Sequence, residues 1–231
     1  MKLLYTLIAI MFANIAYTQT ITTKHKLIIA HEDITLYLDD DTCTMISKHI
    51  LFYSKFKLLK SDARCDCWFA DQYSTTSKAT YDRVYRKSGY DLGHLTPSHI
   101  TTYDAKQNEY SFSLFNQAPQ YSYFNEHPWE QLERHVEHLI DSAHTDAIIV
   151  TGVIYNNKHK TYLTGSKIKI PTHYYKLLTI GGTSWIWLAP NVADKTQCVP
   201  KLIQIAELND LFVKNAMNVN IKLLKLNIKT R

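Results

Sequence analysis

Beyond its first eighteen residues the sequence has no apolar run approaching the roughly twenty residues that a membrane-spanning helix needs, because charges or turn residues interrupt each one. It has no internal repeat and no low-complexity linker, which excludes a solenoid or a string of small modules and favours one domain with a substantial core. Neither sign of charge dominates: 26 Lys+Arg stand against 21 Asp+Glu, a formal charge of +5. That balance permits a polyanionic partner without requiring one. Cysteine is scarce, and the four present (Cys43, Cys65, Cys67 and Cys198) form no C-x-x-C pair, the spacing that structural zinc usually shows. Strand and helix patterns do not alternate regularly either, which disfavours a doubly wound parallel sheet.

What is there begins with a three-part N-terminus: Lys2, an apolar run from Leu3 to Ala13, then small or polar residues. This is the layout of a secretory signal, expected over residues 1–18, with Ala16 and Thr18 at the small-residue positions of the cleavage site. A single domain over residues 19–231 and a secreted, extracellular location follow; the competing reading is an uncleaved membrane anchor, for which the run is short. An oxidising compartment turns the cysteines into two expected disulfides, with a cysteine-only zinc site as the competitor. Cys65 and Cys67 are poorly placed to bond each other, so either Cys43–Cys65 with Cys67–Cys198 or Cys43–Cys67 with Cys65–Cys198 is expected.

Residues 46–58 and 147–155 are rich in β-branched and aromatic side chains and read as strands. Residues 172–180 and 183–188 are two more, joined by Gly181-Gly182, a pair suited to the positive φ angles of a tight hairpin. Trp129, Leu132, Val136, Leu139 and Ile140 recur at helical spacing within residues 128–142. Pro128 suits the first turn of that helix, which puts Asn125 in the loop entering it. A second amphipathic helix is expected over about residues 200–213. The fold class expected is α+β, a mainly antiparallel central sheet flanked by helices.

Between Tyr81 and Glu137 histidines, asparagines and carboxylates are denser than a packed core would choose. The pieces are YRKSGYDLGHLTPS (residues 85–98), FSLFNQAPQ (residues 112–120) and FNEHPWEQLE (residues 124–133). Together they resemble the non-specific DNA/RNA endonuclease family, the ββα-metal nucleases of endonuclease G type. That family's motifs are D-R-G-H with a following small residue and proline, then N-x-x-P-Q, then N-x-x-x-W-x-x-L-E. Each has a counterpart here in order, and the resemblance continues through IIVTGVIY (residues 148–155) and IPTHYYKLL (residues 170–178), covering about residues 64–212.

The resemblance implies a ββα-metal fold and a sugar-non-specific endonuclease that cleaves DNA and RNA to leave 5′-phosphate ends. It implies one divalent ion, Mg2+ or Mn2+, held mainly through Asn125 and otherwise by water and substrate oxygens, as suits a hard cation that keeps its hydration shell. His94 takes the role of general base, since a histidine near its ordinary pKa can accept a proton at neutral pH. Glu133 would hold a metal-bound water, Asn116 would orient phosphate or such a water, and Arg64 would contact phosphate. Asp91 supports the local geometry without an assigned contact. The bland alternatives are turn-forming asparagines and a solvated helix face at Glu133 and Arg134. His99, His127, His135 and His138 fall on no motif position and read as surface residues.

Two positions depart from the pattern. Leu92 stands for the arginine of D-R-G-H, and Glu137 stands where relatives tend to carry an arginine four residues after the glutamate. Arg134 points roughly 100° further round the helix and cannot replace the latter. Arg86, Lys87 and Arg64 are the cations available to compensate, with Arg86 and Lys87 as further substrate contacts. A weakened or non-enzymatic descendant that binds nucleic acid is therefore the alternative function. No stable membrane association is expected, and the oligomeric state stays open, a homodimer included.

Overall fold

The computed structural model describes residues 18–23, 26–39, 44–59, 64–72, 74, 76–215, 217 and 219. The expected signal segment lies outside them except for Thr18, and so does Cys43. An eight-stranded antiparallel sheet, in the order β1-β2-β3-β4-β7-β8-β9-β10, is the frame. Its strands are β1 (Thr18–Thr23), β2 (Lys26–His31), β3 (Ile34–Asp39), β4 (Thr44–Leu51), β7 (Ala147–Ile154), β8 (His173–Ile180), β9 (Thr183–Pro190) and β10 (Lys201–Ile203). The expected α+β architecture is what forms.

The central strand β7 is buried throughout, and apolar but for Thr151, because both of its faces are covered. Ile149 and Val153 face a cluster that contains Leu132, Val136 and Ile140 of helix α5 (Glu130–Ala143). Ile148, Val150 and Ile154 face the opposite cluster, with Leu208 and Phe212 of helix α6 (Ile205–Lys214). Each such side chain contributes about 1.5–3 kcal/mol on full burial, which fixes the register: a slip by one residue would exchange the two faces. The β8–β9 hairpin turns on Gly181 and Gly182 at φ +56° and +85°, as their pairing predicts.

Three expected elements end elsewhere. The strand over residues 46–58 stops at Leu51, which pairs with Ala147, the first residue of β7; past it no neighbour continues the ladder. The chain turns into the short helix α1 (Tyr53–Phe56), and Asp146 takes the Tyr53 amide at 2.9 Å. The last helix starts at Ile205, since Lys201–Ile203 pairs with β9 at the sheet edge instead. Asn125 is not in a loop: Asn125–Trp129 forms a wide π-helical turn that contains Pro128 and runs into α5, after the short helix α4 (Ser122–Phe124).

The cysteine pairing also corrects the expectation. Cys65 and Cys67 are bonded to each other and Cys198 is a buried free thiol. Asp66 between them adopts φ +50°, folding the chain so that the two Cα atoms come within 5.1 Å, inside the range that a disulfide spans.

A two-stranded hairpin, β5 (Tyr90–His94) with β6 (Gln117–Tyr121), rides on this frame. Tyr174 of β8, wholly buried, donates its hydroxyl to the Ala118 carbonyl at 2.8 Å. Asn191 completes the attachment: its Nδ2 donates to the Pro119 and Pro171 carbonyls, both at 2.9 Å, and its Oδ1 accepts from the Tyr121 amide at 3.0 Å. The hairpin that carries Asp91, Leu92 and His94 is thereby tied to β8 and to the residue that follows β9.

Candidate functional site

A cleft of about 740 Å³ opens where the β5–β6 hairpin meets the turn into α5. His94, the last residue of β5, lies on its floor. Trp68 covers the imidazole with ring centres 4.4 Å apart, and Phe112 meets it edge-on at 4.9 Å. Burial, followed by the positive fields of Arg64 and His99, depresses its pKa to about 3, so the ring is neutral across the physiological range. Its Nε2 is buried without a hydrogen-bond partner. Gly93 is needed just before it: a Cβ there would lie 2.6 Å from that of Gln120 on the facing strand.

Asp91 explains how Asn125 is aimed. Its Oδ1 accepts from Ser122 Oγ at 2.7 Å and its Oδ2 from Asn125 Nδ2 at 3.0 Å. With the amide nitrogen so engaged, the oxygen is the atom left for a cation. Glu133 stands one turn into α5, with only 12% of its side chain exposed and its Oε1 3.4 Å from Lys176 Nζ. Lys176 is buried in β8, where its Nζ donates to Thr151 Oγ1 at 2.9 Å and lies 5.0 Å over the Trp129 ring. Burial lowers its pKa, and the Glu133 carboxylate opposes that fall.

Arg64 lies against the Phe112 ring at 5.2 Å, paired with Asp66 at 3.0 Å, on a segment whose Cys65 amide is held by Asn108 Oδ1 at 2.8 Å. Arg86 and Leu92 also line the cleft, so no cation occupies the Leu92 position. Lys87 faces away into a neighbouring cleft, at φ +59°. Arg134 pairs with Glu130 at 2.6 Å on the exposed side of α5.

Asn116 is turned away from the cleft. It is fully buried, its Nδ2 donating to the Thr96 and Ser111 carbonyls at 2.8 Å and its Oδ1 accepting from the Thr96 amide at 3.0 Å. Its amide thus ties the chain just after His94 to Ser111, and Asn116 is not among the residues that line the cleft, where contact with phosphate or a metal-bound water is expected. His99 is the opposite case, read as a surface residue and found in the cleft, with Nε2 2.9 Å from Glu137 Oε1. Burial acts to lower its pKa, but the close contact with Glu137 and the fields of Glu133 and Glu137 outweigh it, and the net shift is upward. His127 stacks on Tyr123 at 4.4 Å and His135 packs edge-on to Trp187 at 5.9 Å, both away from the cleft.

The first and third sequence motifs therefore line one cleft, and the second supplies β6, the strand paired with the one that carries His94. The DNA/RNA non-specific endonuclease family model matches residues 12–211. The chain belongs to that family. Mitochondrial endonuclease G of Homo sapiens is 28% identical over 125 residues, 50% of this chain and 41% of the relative. Nuclease C1 of Cunninghamella echinulata var. echinulata is 29% identical over 105 residues, 42% of this chain and 41% of the relative. These matches thus span well under half the length of the relatives. A chain in a crystal structure of an EndoG/EndoGI complex superimposes with TM-score 0.61 at 21% identity, covering 83% of this chain and 86% of that one, and shows the same fold.

Among the described residues no three His, Cys, Asp or Glu side chains converge into a metal cage. The donor set, one neutral amide oxygen with a carboxylate nearby, instead fits a hard divalent ion that retains most of its water.

Proposed function

We propose that this chain is a metal-dependent phosphodiester hydrolase acting on DNA and RNA, with His94 as general base. The observation that carries the reading is the His94 imidazole with Nε2 unpartnered in the cleft, which is lined also by an Asn125 whose amide Asp91 has oriented. A neutral imidazole can take a proton from an attacking water, and the surrounding aromatic rings fix its direction. Mg2+ or Mn2+ would be held by Asn125 Oδ1 and, through water, by Glu133; when bound, such an ion offsets charge on the phosphate and the departing oxygen. Lys176 holds the Glu133 carboxylate in place, and Arg64 and Arg86 supply cations at the cleft wall. Scission between phosphorus and the 3′-oxygen leaves 5′-phosphate ends.

The alternative, a nucleic-acid binder without turnover, draws on Leu92 in the cleft wall. One gel separates the two: plasmid and RNA incubated with Mg2+, with Mn2+ and with chelator. Cleavage that needs the ion and is lost in His94→Ala supports hydrolysis; retention without cleavage identifies a binder. We further propose a secreted protein, supported by residues 1–18 and by the Cys65–Cys67 bond, which requires an oxidising compartment. N-terminal sequencing of protein recovered from the medium tests this, and an intact Met1 there would refute the cleavage.

A further inference from the structure

A second cleft, of about 560 Å³, opens beside the first, and Arg86 and Tyr90 line both. One wall is the C-terminal end of helix α2 (Lys78–Tyr85) and the turn after it, carrying Arg83, Arg86 and Lys87. The other is the loop of residues 161–170, which bears Tyr162. This loop is an ordered hairpin: the Leu163 amide donates to the Ile168 carbonyl at 2.9 Å, the Ile170 amide to the Thr161 carbonyl at 2.8 Å, and the Leu163 side chain is buried. Tyr162 stands on it 42% exposed.

The charge pattern differs sharply between the clefts. Asp82, Asp91, Glu126, Glu130 and Glu133 line the first, against two arginines, Arg64 and Arg86. The described lining of the second has Arg83, Arg86 and Lys87 and no carboxylate. A polyanionic strand entering a carboxylate-bearing cleft needs its affinity supplied nearby. Cations at a helix C-terminus also complement the helix dipole, which accounts for three of them at the end of α2. It does not account for the facing aromatic ring or for the continuity with the catalytic cleft through Arg86 and Tyr90.

We propose that this second cleft binds the nucleic-acid strand flanking the scissile phosphate. Its backbone phosphates lie along Arg86, Arg83 and Lys87, and an unstacked base lies against Tyr162. The inference deepens the nuclease reading and rests on it for the position of the scissile bond. Phosphate neutralisation gives sequence-independent affinity, and any base can stack on an aromatic face, so the combination fits a substrate range set by backbone and not by sequence.

The test compares a trinucleotide with a single-stranded oligonucleotide of about 16 nucleotides, long enough to reach beyond one cleft. Arg83→Gln and Tyr162→Ala should each raise KM on the long substrate by about tenfold while kcat stays within about twofold, and leave trinucleotide cleavage unchanged. Tyr162→Phe should restore the long-substrate KM, because the ring and not its hydroxyl does the stacking. Unchanged KM on the long substrate in both Arg83→Gln and Tyr162→Ala, or equal losses on both substrates, would overturn the proposal. Fluorescence anisotropy of the long oligonucleotide in chelator keeps the two readings apart: if the wild-type chain cuts nothing but Arg83→Gln and Tyr162→Ala weaken binding, the strand path stands and the hydrolase reading fails.

Discussion

The two adjoining clefts divide the work of one surface in opposite ways. The first is built from buried and half-buried groups whose contacts are internal: Asp91 on Asn125, Lys176 on Glu133, Trp68 and Phe112 on His94. With Lys78 paired to Asp82, Arg134 to Glu130 and Lys176 to Glu133, it leaves Asp91 and Glu126 as the unpaired carboxylates of its described lining, beside Arg64 and Arg86. The second is built from exposed cations on a turn and an aromatic ring on a loop, with no carboxylate among its described lining residues. Rigid groups set chemistry, because a misplacement of about 1 Å can cost a hundredfold; exposed cations set affinity, because phosphate attraction tolerates loose geometry.

The largest effect that sharpens this division is expected at His94. His94→Ala should lower kcat by about a thousandfold on trinucleotide and long substrates alike, with binding of the long oligonucleotide in chelator within about twofold of wild type. Single-turnover kinetics with anisotropy in parallel measures both. A loss that grows with substrate length would mean that His94 belongs to strand binding, and the division would fail.

Next comes the aiming of Asn125. Asn125→Ala removes the amide oxygen, and Asp91→Ala removes the acceptor that orients it; each should raise the Mg2+ concentration for half-maximal activity by about ten- to a hundredfold. High Mg2+ should rescue Asp91→Ala more fully than Asn125→Ala, since only the latter has lost the donor atom. Metal titrations check this, and an unchanged midpoint in both variants would move the ion elsewhere.

What the sequence made legible was spacing within short segments. His94, Asn125 and Glu133 meet because a hairpin and one turn of helix leave little freedom between motif and site. Direction was less legible. Nothing in N-Q-A-P-Q says that the Asn116 amide closes on Thr96 and Ser111, because that depends on how two loops fold over each other. His99 went unrecognised because its partner Glu137 lies on a helix that only tertiary packing brings near. The Cys65–Cys67 bond depends on a left-handed residue at Asp66, which spacing alone does not announce. Lys176 offered a signal in hindsight: a lysine in an otherwise apolar strand segment, HYYKLL, has to find a partner if it is buried.

The His99–Glu137 contact changes what the two departures from the family pattern mean. From the sequence, arginine at either Leu92 or Glu137 would be expected to help. In the structure Glu137 lies 2.9 Å from His99 and favours its protonated form, so Leu92→Arg should raise kcat/KM by up to about tenfold, while Glu137→Arg should lower it by removing that support. The pH sign follows from the raised pKa of His99: the cation is present at low pH and lost as pH rises through that value. Glu137→Gln removes the support and should move the alkaline fall in kcat/KM to lower pH, whereas His99→Lys should extend activity upward. Coincident alkaline limbs in wild type and both variants would show that His99 supplies no charge that matters.

The smallest effect isolates the second cleft's charge from its fold, and Lys87 is the residue that allows it. Lys87 holds φ +59°, a conformation that costs an ordinary side chain about 1 kcal/mol or more and that asparagine and glycine adopt readily. Lys87→Asn therefore removes the cation while easing the turn, so thermal stability should hold or rise slightly. Binding of the long oligonucleotide in chelator should weaken by only about two- to fivefold near physiological salt, since one exposed phosphate contact among several is lost. The diagnostic is the salt dependence. The slope of log K against log salt should become shallower by about 0.7, the single-strand value for one contact, whereas His94→Ala should leave it unchanged. Anisotropy titrations over a range of NaCl concentrations measure both slopes. An unchanged slope in Lys87→Asn would place this cation outside the strand path and shorten the second cleft's reach to Arg83 and Arg86; a changed slope in His94→Ala would show that the two clefts do not divide chemistry from affinity.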